Sequence, residues 1–100
     1  MLYFPLRGYY MRRLSEVLHI SNQKHLIVRI SSNQFKALKI GQAIVTKSLT
    51  PIGRIFDIFG PIDNPYVSIQ PNADYTDPEH LVGETLYSFE EKKSQKRNRI

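Results

Sequence analysis

The residues in this chain that could carry out chemistry are few and lie far apart. Its three histidines, at positions 19, 25 and 80, form no His-x-His or His-x-x-x-His pair, and this spacing argues against a metal site. The absence of cysteine excludes a disulfide framework and a thiolate metal site. The chain also lacks the Gly-x-Ser-x-Gly, Walker and dinucleotide-binding motifs. We therefore predict a protein that is not an enzyme, has no catalytic or metal-binding residues and uses no cofactor.

The excess of positive charge is concentrated at the end of the chain. Residues 92–100 carry five basic side chains and no acidic one, whereas residues 1–91 carry nine basic and nine acidic side chains. Such a tail attracts RNA through its phosphates without sequence preference, and the alternative is a solvated terminus that aids solubility. The predicted RNA-binding residues are Lys92, Lys93, Lys96, Arg97 and Arg99.

The sequence predicts that the rest of the chain is built mainly of short β-strands. Apolar runs bounded by turn formers predict strands at about 14–20, 26–30, 43–47, 52–59, 66–69 and 84–89. Asp77 and Pro78 predict the cap and first residue of a single helical turn, which Gly83 closes. No segment has a sustained helical period. The pattern predicts an all-β fold, a small six-stranded β-barrel with a disordered basic C-terminal tail, and a sandwich of the same strands is the alternative.

Side-chain alternation also predicts which residues are buried. One face of the first strand is expected to hold Leu14, Glu16, Leu18 and Ile20. The polar connector after the second strand is expected to place three apolar side chains under the sheet, those of Phe35, Leu38 and Ile40.

The chain is predicted to have three parts: an N-terminal extension at 1–13, a β-barrel domain at 14–90 and the basic tail at 91–100. Residues 1–10 either pack as an extra edge or precede a true start at Met11, and the sequence leaves both open. The apolar start is too short for a signal peptide, and no apolar run approaches the roughly 20 residues of a membrane-spanning helix. A cytoplasmic location is therefore expected.

The most informative segment is 51–71, which predicts two strands joined by a turn that two prolines stiffen. Alternation places Ile52, Phe56 and Ile58 on one face of the first of these strands, and Ile55 and Phe59 on the other. This strand is polar only at Arg54 and Asp57, and a domain of this size has little left to cover an outer face. We therefore expect an exposed apolar surface that binds another protein, with core packing on both faces as the alternative.

The same segment resembles the core of the Gar protein family of H/ACA ribonucleoproteins in its short archaeal form. The resemblance rests on Ile-Gly-Arg-Ile at 52–55, Gly-Pro-Ile at 60–62 and Pro-Tyr-Val-Ser-Ile at 65–69. It extends with lower specificity over 14–89. It implies a six-stranded barrel of the translation-factor/reductase-like kind that is not itself the enzyme. Such a subunit binds the catalytic domain of the guide-RNA-dependent pseudouridine synthase and assists substrate loading and product release in rRNA pseudouridylation, with only indirect contact to the guide RNA.

Carried over by position, the resemblance implies a set of partner-binding residues. They are Ile52, Gly53, Arg54, Ile55, Gly60, Pro61, Ile62, Pro65, Tyr66 and Val67. Ile62 and Tyr66 are expected to be apolar anchors, and Arg54 is expected to pair with a carboxylate of the synthase. For Ile55, Val67 and Ile69, barrel core is the alternative role.

Two other functions compete with this hypothesis. A direct RNA-binding barrel of ribosomal or translation-factor type requires basic and aromatic residues interleaved on one face. The basic residues of the barrel are spread along the chain and offset by acids, which favours the protein-binding function. The related assembly-factor family shares the core domain within a longer chain, so length favours the subunit of the mature particle.

Overall fold

The six predicted strands close into a barrel. The computed structural model describes residues 9–75 and 77–91. The strands are β1 Tyr9–Ile20, β2 Leu26–Arg29, β3 Ala43–Val45, β4 Pro51–Phe59, β5 Tyr66–Pro71 and β6 Thr85–Glu91. Around the ring they follow the order β1-β2-β5-β4-β3-β6, and every neighbouring pair is antiparallel. The predicted six-stranded barrel is confirmed, whereas the predicted tail at 92–100 lies outside the described residues.

Two short helical elements complete the fold. The helix α1, Ser32–Phe35, is held by reciprocal hydrogen bonds in which Ser31 N donates to Gln34 Oε1 at 2.8 Å and Gln34 N donates to Ser31 Oγ at 3.4 Å. The 3₁₀ turn Pro78–Leu81 begins at the predicted proline and contains the buried Leu81. Asp77 precedes it without a capping hydrogen bond from its side chain.

The connector that contains α1 differs from the prediction. Leu38 packs against the main core, as expected, but Phe35 and Ile40 are exposed. The reason is local: α1 has no buried residue, and the chain leaves it through a series of turns across the end of the barrel. The connector therefore contributes one apolar side chain to the core instead of three.

The first strand is longer than predicted and has a different inward face. It starts at Tyr9 because the residues before Leu14 pair with the last residues of β6, from Tyr9 opposite Glu91 onwards. The pairing of β1 with β6 shifts register between Arg13 and Ser15, and the pairing of β1 with β2 shifts register between Val17 and His19. Each such bulge adds a residue and changes which face the following side chains occupy.

The inward residues of β1 are consequently spaced by three. Leu14 and Val17 are buried in the main core and Ile20 packs against it. Glu16 and Leu18, predicted to share a face with Leu14, are exposed. The simple alternation predicted for this strand is therefore wrong, because it does not allow for the two bulges.

The fourth strand shows the same spacing. Ile52 and Ile55 are buried in the main core and Ile58 packs against it. Phe56 lies opposite no residue of β5, since Ile55 pairs with Ile69 and Asp57 pairs with Ser68. This bulge corrects the predicted face assignment: the three isoleucines face inward together, and Phe56 faces outward with Phe59.

The apolar residues form two clusters. The main core consists of Leu14, Val17, Leu26, Val28, Ile30, Ile44, Ile52, Ile55, Val67, Ile69, Leu81 and Leu86. A second cluster consists of Met11, Val45 and Tyr87. Val45 follows the core residue Ile44 on β3, and Tyr87 follows the core residue Leu86 on β6. Because strand neighbours point to opposite faces, the second cluster lies on the outer side of β1, β3 and β6.

Candidate functional site

The outer side of β2, β5 and β4 carries a row of ring side chains that we call the aromatic face: His25, Phe56, Phe59 and Tyr66. The rings of Phe59 and Tyr66, paired across β4 and β5, stack with centroids 5.7 Å apart. Phe56 meets the ring of His25 in an edge-on contact at 4.7 Å. Phe56 and Phe59 are 52% and 44% exposed, respectively. The rings thus support one another, while much of the area of the two phenylalanines stays open to solvent.

One member of this row, His25, belongs to a buried polar pair. His25 Nδ1 and Ser68 Oγ are 2.9 Å apart, and both side chains are buried. Ile27, also buried, lines a shallow hollow together with Phe56, Phe59 and Ser68. In the sequence, the spacing of the three histidines argued only against a metal site. The structure places His25 where its ring supports that of Phe56.

The turn between β4 and β5 forms an exposed apolar corner next to the aromatic face. Ile62 is 83% exposed at its tip. Gly60 has φ +96°, and a β-carbon there would lie 3.0 Å from Cδ2 of Tyr66, so glycine allows both the turn and the position of that ring. On the other side of the turn, Ile30 N donates to Pro65 O at 2.9 Å.

The end of β2 completes this region. Arg29 donates from Nε to Asn64 O at 3.4 Å, and its guanidinium carbon lies 5.0 Å from the centroid of the Tyr66 ring. The corner is therefore tied to β2 through Arg29 and through Ile30. A loop held in this way loses little entropy when a partner binds to it.

The structure divides the predicted partner-binding residues into two groups. Arg54, Gly60, Pro61 and Ile62 are exposed and Tyr66 is half-buried. The others, Ile52, Gly53, Ile55, Pro65 and Val67, are buried. Among the buried residues, Ile52, Ile55 and Val67 belong to the main core, which is the alternative role considered for Ile55 and Val67. The partner-binding role itself stays a prediction for all ten.

Gly53 and Arg54 also have partners within the barrel. A β-carbon at Gly53 would collide with the carbonyl oxygen of Gln70 and lie 2.8 Å from Cα of Pro71, so it is β5 that approaches this glycine. Arg54 donates from Nη1 to Gly41 O at 2.9 Å and so fixes the end of the connector before β3.

Phe56, Phe59, His25 and Arg29 were missed as members of this surface. The signal in the sequence was the spacing of Ile52, Ile55 and Ile58, because three isoleucines three apart cannot all face inward on a regular strand. A bulge between them resolves this conflict and turns the two phenylalanines outward.

Within residues 9–75 and 77–91, no group of three or more His, Cys, Asp or Glu side chains is placed to hold a metal ion. In the same part of the chain, no helix has the length and apolar character needed to cross a membrane. The predicted RNA-binding residues from Lys92 to Arg99 lie outside the described residues.

Comparison with known proteins identifies the family of this chain. Residues 11–98 match the family model described as the Gar1/Naf1 RNA binding region. An uncharacterized protein of Methanothermobacter thermautotrophicus is 38% identical over 79 residues, which cover 77% of this chain and 82% of that protein. An uncharacterized protein of Methanocaldococcus jannaschii is 38% identical over 56 residues, or 56% of this chain and 63% of that protein.

A solved structure of the Gar1 domain of Naf1 has the same fold. It superimposes with a TM-score of 0.63 at 18% identity and covers 79% of this chain and 85% of that chain. The fold and the family match over most of the barrel agree with the resemblance carried by residues 52–69. This chain belongs to the Gar1/Naf1 family.

Proposed function

We propose that this protein is a non-catalytic subunit of an H/ACA guide ribonucleoprotein that acts in the cytoplasm by binding the catalytic domain of the pseudouridine synthase. Its role is to assist substrate loading and product release in rRNA pseudouridylation. The Gar1/Naf1 family is associated with H/ACA ribonucleoproteins. The observation that carries the proposal is the exposed apolar corner at Ile62, next to the aromatic face.

The chemistry of this surface favours a protein partner. Two half-exposed phenylalanines on β4 and an exposed isoleucine in the turn that follows β4 present apolar area of the kind that marks protein interfaces. Aromatic residues and arginine concentrate binding energy when an interface buries them, and Tyr66 already contacts both Phe59 and Arg29. Little rearrangement is therefore needed before docking.

The predicted residues contribute to this surface in two ways. In this proposal, Ile62, Tyr66 and Arg54 touch the synthase directly. The buried residues, such as Ile55 and Val67, act by holding β4 and β5 in register so that the rings are presented outward. The glycine at position 60 supports the corner by making room for Tyr66.

A direct RNA-binding barrel is the second candidate, since stacked rings beside an arginine also suit unpaired bases. Asp57, Ser21 and Gln23 line the same hollow as Phe56 and Phe59. An acidic and two neutral side chains at that place give phosphates little attraction. The aromatic face therefore favours the protein partner.

The test is isothermal titration of the isolated synthase with the variant Ile62→Ala/Tyr66→Ala. Losing two apolar anchors is expected to weaken binding about 100-fold, because each truncated anchor costs about 1–2 kcal/mol or more. A guide-RNA titration run beside it is expected to change little.

The matched control is Val82→Ala, which removes an exposed apolar side chain from the connection between β5 and β6 at the other end of the barrel. It should bind the synthase like the parent. Unchanged affinity of the double variant, with a circular dichroism spectrum like that of the parent, would remove this surface from the interface.

A further inference from the structure

A groove lies between β1 and α1, at the end of the barrel where β1 begins and β6 ends. Gln34 holds the two elements together, because its Nε2 donates to Arg13 O at 3.1 Å and to Leu14 O at 2.6 Å. The groove is therefore formed by the fold itself. We call it the α1 groove. It has a volume of about 240 Å³, and its lining includes Arg12, Arg13, Leu14, Ala37, Leu38 and Ser88.

Apolar side chains form the walls of the α1 groove. Leu14 is buried in the main core, and Leu38 packs against that core. Ala37 is half-buried and adds a methyl group. These walls offer contact to an apolar group and no hydrogen bond to a strongly hydrated one.

Ser88 adds a buried hydroxyl group to the groove. It lies opposite Arg12 of β1 and opposite the core residue Ile44 of β3, so its side chain is on the inward face of β6. The residue is 2% exposed. Its Oγ makes no hydrogen bond with any other residue within 9–75 and 77–91. A buried hydroxyl group without a partner is costly, and a ligand in the groove can supply the missing hydrogen bond.

The arginines of the groove differ from the other arginines of the described chain. Arg29 and Arg54 donate to backbone carbonyl oxygens of the barrel. Arg12 and Arg13 are exposed, and neither makes an ion pair or a hydrogen bond with another described residue. Two guanidinium groups therefore remain for an anion from outside the described part of the chain.

We propose that the α1 groove binds an extended acidic segment of a partner protein, in which a carboxylate side chain stands beside an apolar one. Arg12 and Ser88 lie directly opposite each other on β1 and β6, so one carboxylate reaches both. The guanidinium group donates to its oxygens, and Ser88 Oγ donates a further hydrogen bond. The apolar side chain of the segment packs on the apolar walls, and Arg13 attracts a second carboxylate.

The size, lining and charge of the groove favour such a segment. Its volume is below the roughly 300–1,000 Å³ of small-molecule sites, so it holds one or two side chains. A phosphate backbone presents no apolar group to its walls. Lys36 and Lys39 are exposed on the connector that contains α1, and Glu90 is the carboxylate that shares a neighbouring hollow with Lys39. The balance of charge around the groove is therefore positive and complements an acidic segment.

The α1 groove is separate from the apolar corner at Ile62. The connector that contains α1 runs from β2 to β3, which lie three places apart in the ring of strands. On one side of it are β1 and β6 with the groove, and on the other side are β5 and β4 with the corner. The two surfaces use different residues, so the acidic segment does not depend on synthase binding at the corner.

The experiment uses the full chain and a fluorescein-labelled peptide, Glu-Leu-Glu-Leu-Glu-Leu with an amidated end, with affinity measured by anisotropy at about 150 mM salt. The same peptide with glutamine in place of glutamate is expected to bind about tenfold more weakly. Arg12→Gln/Arg13→Gln should weaken binding of the glutamate peptide about tenfold. Ser88→Ala should weaken it about fivefold and leave binding of the glutamine peptide unchanged, which a merely structural effect would not do.

The matched control is Lys24→Gln/Lys47→Gln, which removes the same charge from the turns after β1 and β3, at the opposite end of the barrel. It should bind the glutamate peptide like the parent. An equal loss in both charge variants would overturn the proposal, since binding would then depend on net charge alone. Equal affinity for the two peptides, or no binding of the glutamate peptide, would do the same.

Two further measurements identify other occupants of the groove, and either result would overturn the proposal. One is an RNA hairpin that binds through Ser88 and the two arginines in place of the peptide. The other is self-association of the parent in sedimentation velocity that the arginine variant abolishes, because the occupant would then be a second copy of this chain. If Ser88→Ala does not fold, as judged by circular dichroism, the arginine variant and the two peptides decide.

Discussion

The two long strands β1 and β4 lie on opposite sides of the barrel and are built alike on the inside but differently on the outside. Both direct every third residue of one stretch into the core, Leu14 and Val17 in one strand and Ile52 and Ile55 in the other. Both need bulges to do so. On the outside, β1 carries two exposed arginines, Arg12 and Arg13, whereas β4 carries the phenylalanines of the aromatic face.

The comparison separates what holds the barrel together from what it offers to partners. The three-residue spacing of the inward residues accompanies the curvature of the strands, because each bulge both adds a residue and increases the local twist and bend. The outward residues are free of that requirement. Opposite strands of one small barrel therefore present an apolar surface and a cationic surface at the same time.

The prediction with the largest expected effect tests whether the inward sides of β1 and β4 are built alike. Leu14→Ala and Ile55→Ala should each lower the free energy of unfolding by about 3 kcal/mol, because each removes a buried side chain and leaves a cavity. Urea denaturation measures this.

The matched outward changes, Leu18→Ala on β1 and Phe59→Ala on β4, should each cost less than about 1 kcal/mol. If Phe59→Ala destabilises as much as Ile55→Ala, the aromatic face belongs to the core and the contrast between inside and outside is wrong.

A second prediction concerns Gly53 of β4, where the backbone of β5 comes close. Gly53→Ala would press a methyl group against the Gln70 carbonyl group, and the backbone of a paired strand cannot move away cheaply. We expect a loss of about 2 to 3 kcal/mol in the free energy of unfolding.

Gly41→Ala is the control for Gly53→Ala. Its φ is +89° but its β-carbon would meet no atom within 4 Å, so only the cost of the left-handed backbone applies, about 1 kcal/mol. Equal losses at the two glycines would show that close approach at Gly53 is unimportant.

The smallest expected effect tests the support beneath the aromatic face. Ser68→Ala removes the partner of His25 Nδ1 and should lower the free energy of unfolding by about 1 kcal/mol. The half-buried Ser15 of β1 is the control, and Ser15→Ala should be nearly neutral. A double-mutant cycle with His25→Ala measures the coupling, and a coupling near zero would show that the polar pair does not hold the face together.

Much of the fold could be predicted from the sequence because strands and turns leave local signals. The runs around Leu26 and Tyr66 and the Pro78 turn lie where local composition placed them. The ring order and the inward faces of β1 and β4 could not be predicted in the same way. The ring order depends on pairings between distant segments, such as β1 with β6. The inward faces depend on bulges, which accompany the curvature of the closed sheet and do not follow from the identity of one residue.

The candidate functional site could be predicted only where local signals identify its residues. Ile62 and Tyr66 lie in a turn whose proline and glycine residues identify it, so their exposure was foreseeable. The outward position of Phe56 and the burial of Ile55 reverse when a single residue is added to the pairing. The pairing of His25 with Ser68 joins residues far apart in sequence, and no local pattern predicts it.

The pairing of β1 with β6 has a consequence for how the protein folds. It joins the first described strand to the last one, so the barrel cannot close until residues 85–91 have been synthesised. Contacts between such distant segments slow folding because a long loop must be ordered first. Until then two strand edges stay unpaired, and unpaired edges invite aggregation. We therefore expect closure of β1 on β6 to limit the folding rate, and a chain that ends before β6 to accumulate as an aggregating intermediate.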